Sequence, residues 1–263
     1  MMRTRIATAA LIALPAILAA QSPMRVGTLK LSGPSKIAGL DMDKLKGQPS
    51  RLAWSTDGTQ LYVQTMEGNF GRPGQKLRHY AVMLADGSRQ DLQAEPDWAS
   101  AYWTEKSGQT SPDGPPLKIE LKTETRTEKT VSTPMGGELA RGGTGGESGS
   151  GAGDALAAAY NQQPVPVNTM LVSGSIVGQF VNAVIVPGLT FGWGPTGSKM
   201  IAFAEHKSGR VIVMDERGEK REVPGSKDAI LPAWSADGTR IAWLQRDGKK
   251  KFTLQVARVE AGS

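Results

Sequence analysis

A short stretch of sequence occurs three times in this chain, and the repetition constrains the fold more than any other feature. Residues 52–63, 191–202 and 233–243 each contain a tryptophan, a polar turn with glycine and an apolar triplet. A strand–turn–strand unit that recurs in one chain is typical of a repeat protein, in which neighbouring units bury each other's apolar faces. The sequence therefore predicts a repeat architecture built from β-strands.

The spacing of the tryptophans indicates which repeat architecture this is. Trp193 and Trp234 are 41 residues apart, and Trp54 and Trp98 are 44 residues apart. A period of about 40–45 residues is that of a four-stranded propeller blade. The stretch between Trp98 and Trp193 leaves room for one degenerate blade. We therefore predict an all-β fold, a β-propeller of five to six four-stranded blades.

The repeated residues are predicted to have structural roles. Glycine accepts positive φ in the turns, the preceding aspartate bonds backbone donors, and the tryptophans pack between blades. Stacking of the tryptophans on sugars or bases, and a pairing of the two aspartates as catalytic carboxylates, are the alternatives. These residues are Trp54, Asp57, Gly58, Trp193, Gly197, Trp234, Asp237 and Gly238.

Three further aromatic residues, Trp98, Tyr102 and Trp103, cluster away from any intact copy of the motif. Aromatic side chains on a loop or at a pore rim can contact a ligand, because each offers a large apolar surface and, in Tyr and Trp, a polar group. We regard these three residues as candidates for ligand contact. Packing in the core is the alternative.

The first twenty residues are predicted to be a secretory signal peptide. Arg3 and Arg5 precede an apolar run over residues 6–19, and small residues follow. The run is shorter than the roughly 20 residues of a membrane span. Cleavage after Ala20 leaves residues 21–263 as one soluble propeller domain in the periplasm or outside the cell. The chain has no cysteine, which excludes disulfides, thiolate metal sites and cysteine nucleophiles.

Two segments in the middle of the chain depart from the repeat. Nine of the 19 residues in 136–154 are glycine, so we expect a flexible loop inserted between strands. Residues 171–186 are strongly apolar and are predicted to supply strands of the degenerate blade; a hairpin that covers a sheet edge or a partner surface is the alternative. Residues 24–32 read as one more strand, which is expected to pair with the C-terminal strands and close the ring.

The motif Trp-Ser-x-Asp-Gly-Thr followed by an apolar triplet, at residues 54–63 and 234–243, resembles the WD-like repeat of the TolB-type β-propeller. The copy at Trp193 has glycine and threonine where the others have serine and aspartate, and residues 111–114 (Ser-Pro-Asp-Gly) carry the family's tetrapeptide without a tryptophan directly before it. The resemblance implies a propeller, which in TolB is a periplasmic partner of an outer-membrane lipoprotein and in prolyl-oligopeptidase-like peptidases gates an active site. This chain has no room for the extra domains of either, so we expect a stand-alone propeller.

The sequence offers little catalytic chemistry. There is no Gly-x-Ser-x-Gly elbow and no phosphate-binding loop before a helix. His79 and His206 are the only histidines, and neither has a partner at metal-ligand spacing. The basic run 249–251 is predicted to cap a solvated hairpin, with an anionic surface as the sharper alternative. We therefore assign no catalytic, cofactor-binding or metal-binding residue.

The expected function is that of an exported, monomeric propeller that binds a protein or peptide partner in the cell envelope. The export signal argues against nucleic acid as a partner, and no membrane span is expected after signal removal. Enzymatic activity is left open: propeller hydrolases and lyases assemble their sites from several blades in the central channel, which leaves no short motif. A structural subunit that docks through residues 171–186 is the third alternative.

Overall fold

The structure is a computed structural model that describes residues 25–68, 74–108, 110–115, 117–126, 165–181, 190–206 and 208–262. In chain order the strands are β1 (Leu29–Leu31), β2 (Ser35–Asp41), β3 (Gln48–Trp54), β4 (Gln60–Glu67), β5 (Lys76–Met83), β6 (Arg89–Leu92), β7 (Glu120–Arg126), β8 (Val165–Val172), β9 (Ser175–Val181), β10 (Phe191–Trp193), β11 (Met200–Ala204), β12 (Val211–Asp215), β13 (Lys220–Glu222), β14 (Ala229–Trp234), β15 (Arg240–Arg246) and β16 (Lys251–Ala261). The helices are a 3-10 turn (Val26–Thr28), α1 (Met42–Leu45) and α2 (Asp97–Lys106).

The strands form four antiparallel sheets, which we call blades A to D. Blade A is β3-β4-β5-β6, blade B contains β7-β8-β9, blade C is β10-β11-β12-β13, and blade D is β14-β15-β16 with β1 and β2 on its outer edge. Consecutive strands pair as hairpins, which is the blade pattern of a propeller. The predicted all-β propeller fold is thus confirmed. The predicted number of five to six blades is not confirmed, since the described residues form four sheets.

The repeated motif builds the turn between the first and second strands of a blade. In blade A the Ser55 hydroxyl donates to Asp57 at 2.6 Å and accepts the backbone N–H of Gln60 at 3.1 Å. Gly58 has a φ of +66° and donates its backbone N–H to the carbonyl oxygen of Ser55. The same bonds recur in blade D at residues 235–240. The sequence repeat is therefore a repeat of hydrogen bonds.

Blade B begins differently from the sequence-based expectation. Trp98 does not start a strand; it lies in α2, whose residues favour a helix because Asp97 lies in the first turn and Lys106 in the last, where they complement the helix dipole. The turn of blade B is instead formed by residues 111–114, where Gly114 donates its backbone N–H to the carbonyl oxygen of Ser111 at 2.9 Å. The first strand of this blade is reduced to a single bridge between Thr110 and Lys118.

Three of the four junctions between neighbouring blades are filled by apolar side chains. Among the described residues, clusters of 17, 14 and 11 buried residues lie between blades D and A, C and D, and B and C. Trp54, Trp234 and Trp193 belong to these clusters in that order and are at most 1% exposed. The cluster at the fourth junction, between blade A and α2, has only three buried apolar residues within the described part of the chain, Ala53, Tyr62 and Ala99. We call this junction the α2 seam.

The two ends of the described chain meet in blade D. β16 pairs with β15 along one edge, and its other edge pairs first with β2 and then with β1. The expectation that the N-terminal segment pairs with the C-terminal strands is confirmed for Leu29–Leu31. Closure of the sheets into a ring hides strand edges that would otherwise pair with other chains.

The axis of the ring is surrounded by β3, β10, β14 and α2, which pack against one another. Residues 171–181 form the end of β8 and β9, as predicted for the degenerate blade. The predicted signal peptide (1–20) and glycine-rich loop (136–154) lie outside the described residues. Within the part of the chain that the structure describes, no helix combines the length and apolarity of a membrane span.

Candidate functional site

The face of blade A that borders the α2 seam carries a row of polar side chains. Arg51 of β3 lies opposite Gln64 of β4, and Gln64 lies opposite His79 of β5. The other face of the same strands is apolar and contributes Leu52 and Val63 to the cluster shared with blade D. Because side chains alternate between the faces of a strand, one sheet presents an apolar face to blade D and a polar face to α2.

A continuous chain of hydrogen bonds crosses the seam. Arg51 Nη1 lies 2.9 Å from each carboxylate oxygen of Glu95, in the connection between β6 and α2. Gln64 Nε2 donates to Glu95 at 3.4 Å and to the Tyr62 hydroxyl at 3.1 Å. The Tyr62 oxygen lies 2.7 Å from His79 Nδ1. Four side chains of the sheet are thereby joined to the segment that leads into α2.

The hydrogen bonds around Tyr62 accommodate a neutral His79. The Ser50 hydroxyl donates to Gln64 Oε1 at 2.9 Å, which orients the amide with its nitrogen toward Tyr62. The Tyr62 hydroxyl accepts that bond and lies 2.7 Å from His79 Nδ1, to which it can donate its own proton. A histidine that accepts at Nδ1 is neutral and carries its proton on Nε2. In this tautomer His79 presents an Nε2–H donor.

The pKa values of the two titratable partners agree with that direction. Burial, and secondarily the charge of Glu95, raises the pKa of Tyr62 well above its ordinary value. Burial lowers the pKa of His79; the charge of Glu95 opposes this effect and that of Arg51 adds to it. Both shifts favour neutral side chains near neutral pH. Perturbed groups that converge on one junction are a feature of functional sites, although structural networks can show them as well.

Helix α2 supplies the aromatic part of this seam. Trp98 meets the Tyr62 ring edge-on, with 6.2 Å between centroids, and the Arg51 guanidinium lies 4.9 Å from the centroid of Trp103. Tyr102 points across the axis, where its hydroxyl donates to the carbonyl oxygen of Trp234 at 2.8 Å. The helix thus brings the three predicted ligand-contact residues together. Trp98 and Trp103 are half-buried beside the polar network.

The central axis leaves little room for a ligand. Lys106, at the C-terminal end of α2, is buried; its Nζ donates to the carbonyl oxygen of Gly194 at 2.8 Å and to Glu105 at 2.5 Å. The crevice that remains beside the helix has a volume of about 10 Å³, which holds about one water molecule. It is lined by Leu52, Tyr102, Trp103, Lys106, Ser107, Phe191, Gly192 and Pro232. In this conformation α2 closes the channel.

A second cavity opens at the end of the ring where β3 begins. Its volume is about 440 Å³, and it is open to solvent. Charges of both signs line it: Lys250 of the predicted basic run forms an ion pair with Asp43 at 2.6 Å, and Lys46 and Glu67 lie nearby. Within the described ranges, no group of three or more His, Cys, Asp or Glu residues could hold a metal ion. The arrangement favours no single class of ligand.

The repeated residues lie in the turns and junctions of the ring. The Trp54 indole N–H donates to the carbonyl oxygen of Ala233 in the neighbouring blade at 2.9 Å. The Trp193 indole N–H donates to the carbonyl oxygen of Gly108 at 2.6 Å. Gly197 and Gly238 have positive φ, like Gly58. Asp57 and Asp237 each accept the backbone N–H of the threonine two residues later, at 3.0 Å.

Sequence reasoning missed one contact that joins two blades. The Asp113 carboxylate accepts the backbone N–H groups of Gly197 at 2.5 Å and Lys199 at 2.7 Å. It replaces the turn aspartate that blade C lacks, since Thr196 occupies that position. The sequence contained a signal for this: one copy without its aspartate, and one Ser-Pro-Asp-Gly tetrapeptide without its tryptophan. The polar row of the α2 seam has no such motif.

Comparisons with known proteins add little to this description. No protein-family model and no curated protein matches the chain. Solved structures that it resembles include an oligogalacturonate lyase in complex with manganese, at 9% identity and a TM-score of 0.25, covering 80% of this chain and 64% of that one. Another is Sqt1 from Chaetomium thermophilum, at 12% identity and a TM-score of 0.23, covering 83% of this chain and 45% of that one.

The chain thus spans less than two thirds of the length of either structure. Similarity at this level says nothing about a shared activity. The function therefore has to be inferred from the described residues themselves.

Proposed function

We propose that this chain is an exported β-propeller that binds a protein or peptide partner in the cell envelope, and that the partner binds at the α2 seam. One observation carries this proposal. The seam has the smallest apolar cluster, with three buried apolar residues among those described, and polar and half-buried aromatic side chains fill the rest of it. The other three junctions are closed by 11 to 17 buried residues.

The side chains at the seam suit protein recognition. Tryptophan and arginine are enriched among the residues that dominate binding energy at protein interfaces. Trp103 and Arg51 are already stacked, and Arg51 is already paired with Glu95, so a partner would meet oriented groups. The Nε2–H of His79 and the partly exposed carboxylate of Glu95 (20% exposed) add one donor and one acceptor.

Export and the TolB-type relationship belong to the same proposal. The motif turns at residues 55–58 and 235–238 share one pattern of hydrogen bonds, and residues 111–114 share part of it. This supports descent of the blades from one repeat of the WD-like kind. The apolar leader after Arg3 and Arg5 supports a periplasmic or secreted location, and a chain without cysteine would need no oxidative folding there. We expect a monomer.

A hydrolase or lyase with its site in the central channel is the second candidate. It is favoured by the contact of two titratable groups, Tyr62 and His79, at 2.7 Å. Against it stands the position of α2, which leaves about 10 Å³ at the axis. A substrate would therefore have to displace the helix before it could reach channel-lining residues.

A comparative pull-down from envelope extracts tests the proposal. Residues 21–263 carry the affinity tag, and the variants are Trp103→Ala at the seam and Ile176→Ala on blade B, a matched control that is 38% exposed. We expect one protein to be recovered in stoichiometric amount by the wild type and the control, and about tenfold less by Trp103→Ala, as for a hot-spot truncation of about 1.4 kcal/mol or more. Thermal unfolding of each variant verifies that it is folded.

Two results would count against binding at the seam. Recovery of no specific protein would remove the partner hypothesis. Loss of recovery in Ile176→Ala but not in Trp103→Ala would place the contact on the stretch 171–186 instead.

A further inference from the structure

Within the described residues, blade B has no full first strand, whereas blades A, C and D each have one. The first strands of blades A, C and D are β3, β10 and β14, with seven, three and six residues, and each pairs antiparallel with the second strand of its blade. In blade B the corresponding pairing consists of the bridge between Thr110 and Lys118. Among the described residues, no strand pairs with β7 on the edge away from β8.

Helix α2 takes only one of the two roles of a first strand. The first strand of a blade normally lines the axis and also pairs with the second strand. α2 lines the axis, where Tyr102 bonds to the carbonyl oxygen of Trp234 and Lys106 to that of Gly194. A helix satisfies its backbone groups internally and cannot pair with a strand edge. The helix therefore closes the axis, but it makes no backbone hydrogen bonds to the edge of β7.

The side chains of β7 are unusually accessible for a second strand. Residues 120–125 are all exposed, whereas β4 and β15, at the same position of blades A and D, are mostly buried. Leu121 is 45% exposed and extends the apolar row of Leu117 and Ile119, which are buried against blade C. An accessible strand edge with an apolar side chain beside it is a template for another strand.

We propose that an extended segment of the partner adds to β7 and completes blade B as its missing first strand. This rests on the proposed function of binding a protein or peptide. The three other blades define the occupant: an extended backbone of three to seven residues, antiparallel to β7. Main-chain hydrogen bonds provide the affinity in this mode of recognition, and alternate side chains provide the specificity.

The side chains of β7 define the sequence that fits. Glu120 and Lys122 lie on one face of the strand, so a partner strand with a basic residue opposite Glu120 and an acidic residue opposite Lys122 matches it. On the other face, an apolar side chain next to Leu121 would extend the cluster shared with blade C. The expected partner segment therefore alternates charged and apolar residues.

Residue-resolved hydrogen exchange tests the proposal. The protein is isotope-labelled residues 21–263, and the probe is a synthetic peptide of seven residues, the length of β3, in which a basic and an acidic residue, spaced to lie opposite Glu120 and Lys122, alternate with apolar residues. In the free protein we expect every second amide of residues 120–126 to be protected, because alternate N–H groups of an edge strand point away from its neighbour. At nine-tenths occupancy by the peptide, the unprotected amides should exchange about tenfold more slowly.

A control peptide with the same sequence carries N-methyl groups at alternate positions, which removes the main-chain donors, and it should give no protection. The proposal is overturned if the free protein already protects all amides of 120–126, since another segment of the chain then holds this edge. It is also overturned if the probe protects none of them, or if both peptides protect equally. A partner that depends on Trp103 in the pull-down would still support the proposed function in these cases.

Discussion

Gly39 of β2 lies directly opposite Thr253 of β16, where the two ends of the described chain meet, and a disulfide between these positions should stabilise the ring. A Cβ atom at Gly39 would meet no other atom within 4 Å, so a cysteine fits there. Directly opposed residues of an antiparallel pair have Cα atoms about 4.5–5.5 Å apart, within the range that a disulfide spans. The chain has no other cysteine that could form the wrong pair.

The expected stabilisation follows from the length of the closed loop. Gly39→Cys with Thr253→Cys closes a loop of 214 residues, for which the chain-entropy relation gives about 5 kcal/mol. Thr253 also lies opposite Gln245 of β15. The matched pair Gln245→Cys with Thr253→Cys closes a loop of only eight residues, for which the same relation gives about 2.5 kcal/mol. The ring-closing crosslink should therefore stabilise by about 3 kcal/mol more, as an upper value.

Urea unfolding of each variant, oxidised and reduced, measures these differences. Comparing the two redox states of one variant cancels the cost of losing the Thr253 hydroxyl, which is bonded to Asp247. Failure of the Gly39–Thr253 pair to oxidise, or equal stability of its two redox states while the Gln245–Thr253 pair is stabilised, would refute closure of the ring by β2 on β16.

Three further predictions concern single residues. Asp113→Ala should lower the free energy of unfolding by about 1–2 kcal/mol, and by more than Asp57→Ala, because Asp113 bonds two amides of a neighbouring blade; urea unfolding measures both. Gly47→Ala should destabilise by about 2 kcal/mol or more, because φ is +103° and a Cβ atom would meet backbone at 2.5 Å, whereas Gly33→Ala meets nothing within 4 Å and should be neutral or slightly stabilising. Since burial lowers the pKa of His79 below its ordinary value of 6.5, the unfolded state binds more protons between the two values, so stability should fall as the pH drops below about 6.5 and level off below the folded pKa. His79→Gln should remove this part of the pH dependence, and equal slopes in both proteins would show that His79 contributes none.

The repeated motif predicted the propeller because its information is local. This turn needs a glycine at positive φ and an aspartate two residues before a backbone donor. Both residues are present in the sequence of residues 55–59 and 235–239. The copy of the motif in blade D therefore has the same turn as the copy in blade A. Pairing of residues 29–31 with the C-terminal strand followed from the need to close a ring.

The blade arrangement near Trp98 could not be obtained in the same way. Its distance of 44 residues from Trp54 suggested a blade, but the residues around it form a ten-residue helix. Spacing alone cannot distinguish a repeat from a coincidence when the turn residues are missing. The turn of this blade lies at residues 111–114, whose Ser-Pro-Asp-Gly tetrapeptide is preceded by threonine instead of tryptophan at position 110.

The α2 seam is a product of long-range pairing, which no short window of sequence contains. Arg51 and Glu95 are 44 residues apart, and they meet because β3 and the connection before α2 border the same junction. His79 is a lone histidine in the sequence, without a partner at metal-ligand spacing. Only the register of β4 against β5 places it beside Tyr62 and Gln64.

Native-state hydrogen exchange of residues 21–263 tests most directly that the α2 seam is the weakest junction of the ring and hence the place where a partner enters. With three buried apolar residues described at this seam against 11 to 17 at the other junctions, α2 should open without the rest of the ring, and its amides should exchange at least about tenfold faster than those of β3, β10 and β14. Exchange of α2 as slow as that of these inner strands, or earlier opening between blades D and A, would contradict this account.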